Sequence, residues 1–232
     1  MPDLSSFAIT GRWPPKNPDL LQLYSLNTPN GVKASIMLEE IGLAYEPHLV
    51  DIGKDESRTP EFLALNPNGK IPAIIDPDGP DGAPLGLAES GAILIYLADK
   101  AGQLLPSGNR RYETIQWVMW QMGHVGPFFG QVGFFNKFAG SKWEDKRPLQ
   151  RYADESKRLL KVLDDRLEGR AWVMDDYSIA DISLGGWVRN LITFYEAGEL
   201  VDYAALRNVP RWLDAWLERP AVQRGLRIPS KD

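Results

Sequence analysis

The apolar residues of this 232-residue chain change their period near residue 100, and that change bounds what the chain can fold into. Before it, apolar runs of strand length alternate with helical segments. "LQLYSL" (21–26) reads as a strand, Val32 to Ile41 as a helix and "YEPHLVDI" (45–52) as a second strand, followed by a short helix near "TPEFLALN". "IPAIID" and "LGLAES" flank "PDGPDGAP", whose Gly and Pro residues punctuate a loop, so the pair predicts a hairpin ahead of one more helix. The order is β-α-β-α-β-β-α. Beyond "GQLLPSGN" the strand signal fades and apolar residues recur every three or four positions, as at Tyr152, Leu159, Leu160, Leu163 and Leu167. The expected class is α/β plus all-α, with an N-terminal arm over 1–19, a sheet-and-helix domain over 20–102, a linker over 103–109 and an all-helical domain over 110–226.

Composition removes several chemistries. The chain has no cysteine, which excludes disulfides, thiolate metal sites and a protein-borne thiol nucleophile. His48 and His124 are its two histidines and do not share a helical spacing, so no metal site is expected. A net charge of -5 without a dense Lys/Arg block points away from nucleic acid and toward a small-molecule partner. No segment approaches the roughly 18 consecutive apolar residues of a membrane span. The first twenty residues carry Asp3, Arg12 and "WPPKNP" in place of a continuous apolar segment, so a cytoplasmic location is expected.

Three short stretches place polar groups at the starts of helices or strands. In "TPNG" (28–31), Asn30 is the candidate cap and Thr28 a hydroxyl just outside it. A bound thiol there would have its thiolate stabilised by the hydroxyl, the Asn30 amide and the helix dipole, with Lys33 one turn in adding to the field; the competing reading is an ordinary capped turn. In "ESGAILIYLA", Ser90 and the first free N–H groups make an anion cradle and Glu89 offers a carboxylate to an ammonium, a match to an amino-acid head group, or else a plain helix start. In "NPNGKIPAIID", Pro72 heads a strand; a cis bond before it would turn the backbone of Ile71 toward an extended ligand, with Lys70 near enough in sequence to meet a carboxylate.

Two further stretches read as structural. "YSIADI" predicts a capping box between Ser178 and Asp181, a helix-starting device. The aromatic-rich segment from Tyr112 to Phe138 reads as helix packing or subunit contact, with Gly126-Pro127 expected to bend or break its helix.

Taken in order, "TPNG", "NPNGKIPA", "ESGAILIYLA", "GPFFGQ" and "YSIADI" resemble the glutathione transferase superfamily from about Leu21 to Gly225, and are most similar to its bacterial nu class, the Ure2-like branch. The resemblance implies a thioredoxin-like N-terminal domain followed by a helical domain. It implies that Ile71 and cis-Pro72 pair with the cysteinyl backbone of glutathione, Glu89 and Ser90 with its γ-glutamyl group and Lys70 with its glycyl carboxylate. Arg151, in "QRYADESKRLL", would reach a glutathione carboxylate, and Thr28 and Asn30 would be the catalytic residues that contact the sulfur. Because Thr28 stands where a glutaredoxin-like turn carries its first cysteine, the implied activity is glutathione-dependent reduction of small disulfides. Two glutathione molecules or one glutathione disulfide would occupy each site of a homodimer. The alternatives are conjugation of glutathione to small electrophiles, against which the turn's lack of Tyr, Ser or Cys counts, and a non-catalytic glutathione-binding regulatory protein.

Overall fold

The computed structural model describes residues 3–230. Strand β1 (Leu21–Ser25) is buried along its whole length at the centre of a four-stranded sheet. It pairs in parallel with β2 (Tyr45–Leu49) and antiparallel with β3 (Ala73–Asp76), which pairs antiparallel with β4 (Leu85–Ala88), giving the order β2-β1-β3-β4. Helix α1 (Ile9–Arg12) precedes the sheet, α2 (Gly31–Ile41) is the crossover that a parallel pair requires, α3 (Pro60–Leu65) leads into the β3–β4 hairpin and α4 (Ser90–Ala101) follows it. The sequence order β-α-β-α-β-β-α is therefore the observed one. The fold is a thioredoxin-like unit followed by helices.

Two compact units are present, one formed by 1–103 together with 220–232 and the other by 104–219. The first owes its C-terminal piece to α10 (Pro220–Gly225), which lies on α2. A Cβ on Gly225 would stand 2.6 Å from Ile36 Cα, so only glycine permits this approach. Ser35 Oγ donates to the Gly225 carbonyl at 2.7 Å and Arg224 Nε to Glu39 Oε2 at 2.5 Å. The boundaries read from the sequence carried the helical domain to 226, yet the contacts of these last turns are with α2. With β1 beneath it and α4 and α10 on it, α2 is buried from Gly31 to Leu38, including Lys33.

The N-terminal arm is part of this unit. Leu4 and Ile9 are buried in one cluster with Tyr24, Phe62 and Ile71. Farther along, Trp13 Nε1 donates to the Leu49 carbonyl at 2.9 Å, and the Glu46 carboxylate accepts from the backbone N–H groups of Lys16 and Asn17, each at 2.8 Å. Both acceptors sit on β2, an edge of the sheet, so the arm covers a strand whose free backbone would otherwise invite pairing.

In the second unit α5 (Asn109–Trp120) runs through one turn of π-helix, Gln121–Val125, into α6 (Gly126–Asn136). Pro127 has no N–H to donate and crowds the carbonyl one turn back; the wider π turn accommodates it. Gly126 stays helical at φ -58, ψ -55, so of the two expected outcomes, a bend or a break, the chain does not break. Next come α7 (Arg147–Arg166), α8 (Ile179–Thr193) and α9 (Asn208–Glu218). The capping box of α8 forms as expected: Ser178 accepts from the first turn, and Asp181 Oδ2 accepts from Ser178 N at 3.0 Å. Buried Asp181 also accepts from Val173 N at 3.0 Å and from Trp212 Nε1 at 2.9 Å, which ties α8 to α9. The start of α9 is capped from α7, where Asp164 Oδ1 accepts from the N–H groups of Arg207, Asn208 and Val209 at 3.1, 2.7 and 2.9 Å.

Candidate functional site

Strand register decides which residues meet. Tyr24 pairs with Ala73, and Ala73 with Ala88, so one row of the sheet holds the exit from β1, the approach to β3 and the exit from β4. The segments just beyond that row are 25–30, 70–72 and 89–90. Residues distant in sequence, Thr28 and Asn30, Lys70 to Pro72, and Glu89 with Ser90, therefore lie off the same end of one sheet. Convergence of this kind is how a rigid scaffold assembles a site from loops.

At the first of these segments the roles of two residues differ from the expectation. Asn30 is already helical, at φ -83 and ψ -36, and its side chain makes no capping bond. Thr28 caps instead: its Oγ1 accepts from Gly31 N at 3.2 Å, while its carbonyl accepts from Val32 N at 3.0 Å. Pro29 follows Thr28 in the turn that leads into α2, and it has no N–H to leave unpaired there. A hydroxyl that accepts through a lone pair still carries its hydrogen, so Thr28 can donate to an anion placed before α2. Gly31 is required by proximity, since a Cβ there would stand 1.8 Å from the Leu26 carbonyl oxygen.

At the third segment Glu89 holds φ 67 and ψ 111, a left-handed conformation for a residue with a Cβ, and its side chain is exposed. Ser90 beside it is buried at the head of α4 and receives a hydrogen bond from below: Lys33 Nζ donates to Ser90 Oγ at 3.1 Å. Lys33 is fully buried. Burial pushes its pKa down to about 7, against the pull of the Glu89 carboxylate, which raises it. The sequence reading gave Lys33 only an addition to the helix field. Its burial follows from α4 and α10 both covering α2, and no local pattern announces that.

The middle segment is held by a residue that the sequence reading passed over. Asn66 is buried after α3 and donates from Nδ2 to the Lys70 carbonyl at 2.6 Å, while its Oδ1 accepts from Asn68 N at 3.1 Å. "NPNGK" is thus a loop wrapped around one amide, and the signal for it was the Asn–Pro pair that begins it. The Ile71–Pro72 bond is cis, and Ile71 lies outside the ladder, which starts at Ala73. The Lys70 side chain is exposed. Arg151 belongs to the second unit, exposed on α7.

Residues 28–100 match the family model for the glutathione S-transferase N-terminal domain. A glutathione transferase from Burkholderia graminis, crystallised with two glutathione molecules per subunit, is 65% identical, covers 100% of this chain and 98% of its own, and superposes with a TM-score of 0.98. The chain belongs to the glutathione transferase family. A second glutathione transferase, from Pseudomonas putida with one glutathione disulfide per subunit, is 60% identical with a TM-score of 0.97, over 98% of this chain and 100% of that one. Among curated relatives, the disulfide-bond oxidoreductase YfcG of Escherichia coli is 41% identical over 89% of this chain and 94% of its own length.

Proposed function

We propose that this glutathione transferase is a glutathione-dependent disulfide-bond oxidoreductase whose nucleophile is the thiolate of bound glutathione. The observation that carries this reading is the Thr28 hydroxyl, which caps the start of α2 in a chain without cysteine. Such a turn has no sulfur to react, but it has a hydroxyl hydrogen and a helix N-terminus aimed at one. The nearness in fold and sequence to proteins crystallised with two glutathione molecules or with glutathione disulfide supports a site that holds both partners of a thiol–disulfide exchange. The name of YfcG supports the direction of the chemistry.

In this mechanism glutathione lies with its cysteinyl backbone along Ile71 and its γ-glutamyl group at Glu89 and Ser90, and Lys70 meets the glycyl carboxylate. Thr28 donates to the sulfur and holds it as thiolate, with Asn30 at its side. The thiolate attacks one sulfur of a small disulfide; the S–S bond breaks, and the departing thiolate takes a proton from water. A second glutathione thiolate then attacks the glutathione sulfur of the mixed disulfide and expels the other half of the substrate as a thiolate, which also takes a proton, so two glutathione molecules supply the two electrons and leave as glutathione disulfide. Arg151 rests on the resemblance alone, as does assembly into a homodimer.

The test is a coupled assay of hydroxyethyl disulfide reduction by glutathione. The wild type turns over, and Thr28→Ala lowers kcat by about tenfold or more while the Kd for glutathione changes far less. Equal losses in kcat and affinity would remove Thr28 from sulfur activation. Turnover with an aromatic electrophile but with no disulfide would favour conjugation.

A further inference from the structure

We propose that Lys33 is a positioning residue of the γ-glutamyl carboxylate subsite, acting through the hydroxyl of Ser90. The inference rests on the glutathione reading above. In its protonated form, which an arriving anion favours, Lys33 can only donate, so the 3.1 Å contact then makes Ser90 Oγ the acceptor toward the interior and turns the serine hydrogen away from Lys33. Ser90 stands at the head of α4, where the backbone N–H groups of the first turn point the same way, next to exposed Glu89. A carboxylate arriving there meets a hydroxyl already oriented to donate and, beneath it, a charge shielded from water. Donors set in place before the ligand arrives need no reorganisation on binding.

Energetics separate this from a purely structural role. A fully buried ammonium whose protonated form is disfavoured by burial is a burden on the fold. An apolar side chain of similar length would fill the same space between α2 and α4 without that burden. A residue serving only the fold would therefore lower stability when it is replaced by methionine. Lys33 is expected to do the reverse, leaving stability unchanged or higher at neutral pH while the carboxylate subsite weakens.

The experiment is calorimetric titration of the full chain, as wild type, Lys33→Met, Lys33→Gln, Ser90→Ala and the Lys33→Met/Ser90→Ala pair. The probes are glutathione disulfide and the disulfide of cysteinylglycine, which lacks the γ-glutamyl group. The wild type binds glutathione disulfide, and Lys33→Met weakens it about tenfold or more, with the melting temperature unchanged or raised. Lys33→Gln, which keeps a donor without the charge, loses less. Lys33→Met costs nothing further once Ser90 is alanine, and does not alter binding of the cysteinylglycine probe. Wild-type affinity in Lys33→Met, or the same loss with and without Ser90, overturns the inference and leaves the glutathione reading standing. If both Lys33 variants fail to fold, Lys33 is structural and the inference is likewise overturned. A wild type that binds neither probe overturns the glutathione reading, and this inference with it.

Discussion

Glu89 keeps a left-handed backbone, φ 67 and ψ 111, that costs a residue with a Cβ about 1 to 3 kcal/mol. Glycine would adopt it freely, and within the first unit the exposed side chain offers a coulombic attraction to buried Lys33. The strain is accounted for if it aims the carboxylate at a ligand ammonium. Glu89→Gly is then expected to raise stability by up to about 1 kcal/mol and to raise KM for glutathione by about tenfold or more. Thermal melts and initial rates on the same preparation check both signs; a variant with lower stability and unaltered KM would contradict the account. The acid-serine pair was legible because helix starts carry local signals, whereas the strain was not, since Glu89 has no sequence mark that separates it from any acid before a helix. Thr28 and Asn30 exchanged the role of cap for a similar reason. Composition allows either to cap, and what separates them is backbone conformation: Asn30 already holds helical dihedrals, while the Thr28 hydroxyl accepts from Gly31 N.

Elements whose determinants are local were read well. The strands came from the length of apolar runs, and α8 from a capping box contained in four residues. Asp181 shows how much a local device can be extended by tertiary structure: its Oδ2 accepts from Ser178 N, and its Oδ1 from Val173 N and from Trp212 Nε1 of α9. Burial pushes its pKa up to about 6, and the hydrogen bonds it accepts oppose that rise. Asp181→Asn would put an NH2 group against N–H donors and is expected to destabilise the second unit by about 2 to 3 kcal/mol, read as a lower midpoint in urea. An unchanged midpoint would show that the cap is ornamental. What the sequence hid at this scale was every device spanning distant residues: Asp164 capping a helix that begins 44 positions later, Glu46 collecting the arm 29 and 30 residues away, and α10 returning to α2. The π turn before Pro127 was hidden differently. Proline predicts trouble for a helix but does not say whether the helix breaks or widens.

For the molecule as a whole, the thioredoxin-like unit is larger than its strand pattern suggests, because the arm and α10 both pack into it. Except for Arg151, every residue assigned to glutathione lies in this unit. No helix among the described residues is long and apolar enough to cross a membrane. The decisive fact at this scale is compositional: 232 residues without one cysteine, in a chain that belongs to the glutathione transferase family. In the proposed function the sulfur comes with the ligand, and the protein's part is to make it reactive. The most direct measurement is the pH titration of the ultraviolet thiolate absorbance of reduced glutathione bound to the wild type, Thr28→Ser and Thr28→Val. A free thiol titrates near pH 8.5, and a helix start with a donating hydroxyl brings that down toward about 7. The account predicts the lowered value in the wild type and in Thr28→Ser, and a return upward in Thr28→Val. A bound thiol that titrates as the free one does, or that ignores the loss of the Thr28 hydroxyl, would contradict it.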